Sequence, residues 1–217
     1  MGGPAATRPA FRYPLRCSNF MITGGSFARR GALAVLLAVA GGPGAAAEWG
    51  VEQLMQALAA VKSSQAAFVE LKHVAILTTP LQSRGRLVYT APGRLEKHTL
   101  SPRRESLVLE GDQLIVESGD RKQRRTLQLQ DQPVVRAFVE SIRSTLAGDL
   151  ATLRSFYKVQ FDGGERQWRL TLTPGDPQVR EVVSEIRIAG DRDAITSVEF
   201  FETGGDRSVM TITREGS

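Results

Sequence analysis

Arg86–Leu129 reads RLVYTAPGRLEKHTLSPRRESLVLEGDQLIVESGDRKQRRTLQL. Apolar residues recur at every second position, as in Leu87/Tyr89, Leu107/Leu109, Leu114/Val116 and Leu127/Leu129. This is the period of a strand with one buried face. Leu95 to Leu100 supplies a further strand between the first two pairs. The separators Ala91-Pro92-Gly93, Glu110-Gly111-Asp112-Gln113 and Ser118-Gly119-Asp120 are turn formers, too short to hold a crossover helix. Strands joined so briefly are antiparallel neighbours, and the stretch is a meander.

Upstream, Ala67 to Val74 alternates and is stopped by Pro80. Before it, Val51, Leu54, Met55, Leu58 and Val61 keep the spacing of one helical stripe, ended by Ser63-Ser64. Downstream, Asp131 and Pro133 suit a helix start. Val135, Phe138, Val139, Ile142 and Leu146 form its apolar stripe, and Gly148 ends it. Asp149 can cap a shorter helix through Leu150, Leu153 and Phe156. Strands then resume at Trp168–Thr173, Glu185–Ile188, Thr196–Phe201 and Arg207–Thr213, with Gly190 and Gly204-Gly205 between them. The expectation is an α+β chain of ten strands and two main helices. So many strands curl into a strongly curved antiparallel sheet, an incomplete β-barrel, with the amphipathic helices closing it.

The chain has 217 residues, 28 Lys+Arg, 23 Asp+Glu and one Cys. Its net charge of +5 invites a nucleic-acid reading, but the position of the charge opposes it. Residues 1–47 hold five arginines and no acid, so the rest of the chain is formally neutral. Counterion release by bound phosphates needs a basic surplus in the body itself, so no nucleic-acid partner is expected. Arg29-Arg30, an apolar run from Gly31 to Ala40 and Ala45-Ala46-Ala47 have the three-part layout of a secretory signal cleaved after Ala47. The apolar run is about half the length a membrane-spanning helix requires. Met21 is the expected true start, with 1–20 an over-extended beginning, 21–47 the signal and 48–217 one domain. Cys17 precedes the apolar run, so the exported chain has no thiol for a disulfide, a thiolate catalyst or a metal.

The segment Pro80–Lys97, PLQSRGRLVYTAPGRLEK, resembles the S-x-G-x-L-x-aromatic-x-x-P-x-R-apolar segment of the outer-membrane lipoprotein carrier, or LolA-like, family. The leader, the opening amphipathic helix, the hairpin Leu107–Leu114 and the helix after Asp131-Gln132-Pro133 fit that family in the same order, from about Trp49 to Thr213. The resemblance implies an incomplete antiparallel barrel closed by helices, whose cavity receives the acyl chains of a lipoprotein in the periplasm. It implies an acylated lipoprotein or lipid cargo, an inner-membrane donor and an outer-membrane acceptor, transient membrane-surface contact, no cofactor and a monomer. A sensor module of the same fold that docks a membrane protein is the alternative. The family commonly has an Arg before the Pro of this segment, tying the helical lid shut. Here that residue is Ala91, which aligns the chain with a divergent subgroup.

Strand parity assigns the concave face to Leu87, Tyr89, Leu95, Leu107, Leu109, Leu114, Val116, Leu127, Leu129, Trp168, Leu170 and Leu172, with Phe138 and Ile142 facing it from the helix. The residues alone leave open whether this face is a filled core or an apolar cavity. Trp168, on that face, is expected to report ligand by its fluorescence. Arg121, Lys122, Arg124 and Arg125 form the densest basic cluster, a candidate docking patch for anionic headgroups. His73 and His98 are 25 positions apart in strands, without metal-ligand spacing. No Ser lies in a nucleophile elbow, and Asp191/Asp193 fall in a turn. Neither catalysis nor a metal site is therefore expected.

Overall fold

The structure is a computed structural model that describes residues 49–119 and 123–215, and among the described residues a single sheet of eleven antiparallel strands organises the chain. The leader, Cys17, Arg121 and Lys122 lie outside the described residues. Helix α1 (Val51–Ala60) leads into β1 (Ser63–His73), β2 (Leu81–Thr90), β3 (Arg94–Ser101), β4 (Glu105–Glu110), β5 (Gln113–Ser118) and β6 (Gln123–Gln128). A 3-10 turn (Leu129–Asp131), α2 (Pro133–Ala147) and α3 (Leu150–Phe156) follow. Then come β7 (Tyr157–Gly164), β8 (Gln167–Pro174), α4 (Pro177–Arg180), β9 (Val183–Asp191), β10 (Ala194–Glu202) and β11 (Arg207–Arg214).

The spatial order is β6-β5-β4-β3-β2-β1-β11-β10-β9-β8-β7. Two meanders are thus joined back to back where the first strand pairs with the last, Ala66 opposite Arg214 and His73 opposite Arg207. The edges β6 and β7 stay unpaired with one another, so the barrel is incomplete. Its curl follows from one contact pattern. The adjacent α2 residues Phe138 and Val139 reach β10 and β4, respectively, through Phe200 and Leu109. Those strands would lie about 24 Å apart in a flat sheet.

Eleven strands replace the ten expected. The missed strand is β7, where Val159 and Phe161 alternate with Lys158, Gln160 and Asp162 directly after a helix. Its buried first residue, Tyr157, directly follows the helix, which leaves Val159 and Phe161 to carry the alternation, too short a pattern to stand out. Gly163-Gly164 are its last two residues, and Glu165-Arg166 make the turn. Gly190 lies inside β9, not between strands: a Cβ there would come 2.2 Å from Trp168, so the ring needs the bare backbone. The loop at Pro177 contains a one-turn helix.

The two halves of the concave face are filled differently. Over β7–β9, α1 and α3 bring Leu54, Met55, Leu58 and Leu153 down onto Leu170, Leu172, Ile186 and Ile188, all nearly or fully buried. Over β2–β5 the cover is α2 alone, with a small cluster of Leu109, Leu129 and Val139 near the β6 edge.

Candidate functional site

Between α2 and the concave face lies a hollow of about 220 Å³. For scale, an engineered apolar cavity of about 150 Å³ stays dry and binds benzene. Eight of the residues assigned to it from the sequence line it: Leu87, Tyr89, Leu95, Leu107, Leu109 and Leu114 on the sheet, and Phe138 and Ile142 on α2. The same wall includes Val139 and Leu146 of α2, Ala66 of β1, Ile195, Val198 and Phe200 of β10, and Met210 and Ile212 of β11. Val139 and Leu146 belong to the stripe read from the sequence, whereas the residues of β10 and β11 were missed because those strands reach the hollow only through the β1–β11 pairing, a contact between the two ends of the domain.

The other six residues lie elsewhere. Trp168, Leu170 and Leu172 have the expected parity but are sealed under α1 in the packed half. Trp168 also donates from Nε1 to the Arg192 carbonyl at 2.9 Å. Its fluorescence is therefore not a reporter for the hollow. Leu129 belongs to the 3-10 turn and is buried against Leu109 and Val139. Val116 and Leu127 pair with Leu107 and Leu114 across the ladder, but they stand beyond the hollow toward the β6 edge, half-buried.

A few polar residues, Ser64, Glu96, Lys97, Asp193 and Arg214, interrupt the apolar wall. Lys97 lines the hollow, and its Nζ donates to Glu70 Oε2 at 2.6 Å. Its ammonium also sits 5.0 Å from the Phe68 ring centre. Glu70 accepts further bonds from Ser208 Oγ at 2.6 Å and Ser83 Oγ at 3.3 Å. Burial alone would raise the Glu70 carboxyl, but the Lys97 ammonium and these hydroxyls outweigh it and hold it below its usual range. A second pair, Arg214 to Asp193 at 3.2 Å, edges the hollow at its opposite end.

Helix α2 is held over the hollow by a few directed bonds. Tyr89 Oη donates to the Leu146 carbonyl at 3.3 Å, and Tyr157 Oη to the Ala137 carbonyl at 2.7 Å. Burial keeps the Tyr157 phenol protonated well above its ordinary range. Arg143 Nη1 donates to the Gly111 carbonyl in the β4–β5 turn at 2.7 Å, while its Nη2 pairs with the buried Glu140. Its stem crosses Gly93, where a Cβ would sit 2.9 Å from Arg143 Cδ. Ala91 donates its amide N–H to the Lys62 carbonyl at 2.9 Å. Arg143 thus reaches from α2 to the turns at 93 and 111.

His98 lies on the outer face, bonded to Glu96 at 2.9 Å and to Ser106 at 3.1 Å. Arg124 pairs with Glu117 across the β5–β6 ladder at 3.4 Å. Arg125 is on the next residue of β6, opposite Val116. Among the described residues, no cluster of His, Cys, Asp and Glu could hold a metal, and no helix is long and apolar enough to cross a membrane.

Comparison with known proteins gives a family and distant structural neighbours. The family model described as outer membrane lipoprotein carrier protein LolA-like matches residues 43–213. A LolA superfamily protein from Nitrosomonas europaea is similar in structure at 11% identity and TM-score 0.42, over 76% of this chain and 91% of that one. MucB is similar at 17% identity and TM-score 0.42, over 75% of this chain but only 57% of MucB. The structure of MucB in complex with MucA(peri) gives 16% identity and TM-score 0.39, over 77% of this chain and 55% of that one. No curated protein sequence matches the chain. The family match spans the opening helix, both meanders and the helix that roofs the hollow, and the chain belongs to the outer membrane lipoprotein carrier protein LolA-like family.

Proposed function

We propose that the protein is a periplasmic carrier that shields an acyl chain of a lipoprotein or another lipid in the hollow under α2 for transfer to the outer membrane. The observation that carries this reading is the contrast between the two halves of one concave face. One half is packed solid by α1 and α3, while the other keeps an apolar hollow of about 220 Å³ beneath a single helix. Leucines on β2–β5 that served only stability would be expected to be covered like those on β8 and β9.

The family works by carrying or binding rather than by catalysis, and a carrier needs no reacting group. Transfer of each methylene out of water contributes about 0.8 kcal/mol. Eight buried methylenes would give roughly 6 kcal/mol before the cost of association. Helix α2 is the moving part of this mechanism. Its tethers to Gly111, Tyr89 and Tyr157 are three single hydrogen bonds, so a cargo larger than the resting hollow enters by lifting it. The mouth closes again as apolar wall replaces water around the chain.

Native mass spectrometry of the purified protein tests the reading. A carrier brings a lipid-sized mass with it, or takes one up on addition of a lipid. A folded protein that stays unliganded in both conditions, and instead recovers a membrane protein, is a partner-binding module.

A further inference from the structure

The β1–β2 connection reads Val74-Ala75-Ile76-Leu77-Thr78-Thr79-Pro80 and holds no charge. Ile76 at its tip is 89% exposed, and Leu77, Leu81 at the start of β2 and Leu100 at the end of β3 are 46%, 55% and 56% exposed. The turn is ordered by its backbone: Leu77 N donates to the Val74 carbonyl at 2.8 Å, and Ala75 N to Asp206 Oδ1 at 2.9 Å. The Ile76 side chain is thus held out in water, with Leu77, Leu81 and Leu100 each about half exposed at the same end of the sheet. Apolar groups clustered in this way mark a contact surface more often than chance exposure.

Register places cations at the same end of the sheet. The β3–β4 connection is Pro102-Arg103-Arg104, and Arg84 lies opposite Ser101 just before it. The two connections together carry two positive charges and no acid. Arg124 and Arg125 open β6 at this end as well. The hollow also reaches toward it. Its wall residue Phe138 is 42% exposed and stacks on Phe200, which pairs with Ser208 near the start of β11.

We propose that this end of the sheet is a membrane-docking edge for an anionic bilayer. Ile76, Leu77 and Leu81 enter the boundary between headgroups and acyl chains. Arg84, Arg103 and Arg104 meet the lipid phosphates. Apolar side chains projecting from a turn, with Arg84, Arg103 and Arg104 exposed at the same end of the sheet, match an anionic interface better than a protein partner, which would be expected to find a groove. The purpose of the edge, bringing the hollow's mouth to the lipid, rests on the carrier reading, but its existence does not.

The test is sedimentation of the purified protein with phosphatidylglycerol vesicles and with phosphatidylcholine vesicles. Uptake of cis-parinaric acid, a fluorescent fatty acid, is measured in parallel as a readout of the hollow. The protein is expected to sediment with the phosphatidylglycerol vesicles and much less with the neutral ones. Ile76→Asp/Leu77→Asp is expected to lose about tenfold in vesicle binding, and Arg103→Ser/Arg104→Ser to weaken it and flatten its salt dependence. Both variants are expected to keep cis-parinaric acid uptake, which shows that they are folded. Equal sedimentation of the first variant and the unaltered protein, or no sedimentation with phosphatidylglycerol, overturns the proposal. Vesicle binding that depends on the loop, in a protein that takes up no cis-parinaric acid, upholds the edge and contradicts the carrier reading.

Discussion

Glu70 and Lys97 pair across β1–β3 at 2.6 Å beside a largely apolar wall, and each is about a quarter exposed. Their pairing has a pH signature. The Glu70 carboxyl titrates lower in the folded chain than its ordinary value of 4.5. Its contribution is therefore complete above that value and is lost as the pH falls through the folded value. Glu70→Gln is expected to cost about 1 kcal/mol at pH 7 and to flatten the acid limb of stability, read by urea unfolding between pH 3 and pH 7. An acid limb identical in both proteins contradicts this account of the pair. Trp168 makes the second residue-scale prediction. With Trp49→Phe isolating its signal, its emission stays that of a buried indole and does not respond to an acyl ligand. Gly190→Ala, which drives a methyl into that ring, costs about 1–3 kcal/mol in the same unfolding measurement. The sequence could place Trp168 on the concave face by parity. It could not show that α1 covers that part of the face, because coverage depends on where a helix distant in sequence lands.

Helix α2 is the element on which access to the hollow turns. Its stripe of Val135, Phe138, Val139, Ile142 and Leu146 was legible from spacing, as was its stop at Gly148. Its start lies one residue later than a cap at Asp131 would put it: Asp131 ends the 3-10 turn, and Gln132, without a side-chain cap bond, precedes Pro133. Gly148 adopts φ +68, and a Cβ there would meet the Met55 carbonyl at 2.2 Å, so the stop also seats α2 against α1. What spacing could not show was Arg143, which reads as one more exposed helical arginine until the fold brings the 93 and 111 turns beneath it. Arg143→Met leaves Glu140 buried without its cation and is expected to cost about 3 kcal/mol. Arg143→Met/Glu140→Met is expected to recover most of that stability. Hydrogen exchange is expected to show faster opening of α2 in both variants, because the bond to Gly111 is lost in each. If the double variant is as unstable as the single one, the cost lies in the helix's packing and not in the stranded carboxylate. Strand β7 marks the limit at the same scale: beyond Tyr157, which directly follows the helix, only Val159 and Phe161 carry its alternation, a pattern too short to separate from a loop.

At the scale of the whole molecule, two meanders meet where β1 pairs with β11, and the resulting sheet curls until one helix touches strands five places apart. The N-terminal meander could be read almost strand by strand, since its turns are local and strongly marked. The seam could not, because no local pattern signals that the first strand pairs with the last. That gap explains which half of the hollow was legible. The β2–β5 wall followed from alternation, whereas Val198, Phe200, Met210 and Ile212 arrive by the seam. The account predicts that filling the space from the seam side is as damaging to binding as filling it from the other. Ala66→Phe and Val198→Trp place bulk into the hollow from β1 and β10 while keeping the apolar character of the wall. The decisive measurement is fluorescence titration of the protein with cis-parinaric acid, beside the filled variant Ala66→Phe/Val198→Trp shown by circular dichroism to be folded. One-to-one uptake by the unaltered protein, with at least tenfold weaker uptake by the filled variant, is the predicted result. No uptake by the folded protein, or equal uptake by both, would contradict a hollow that holds an acyl chain.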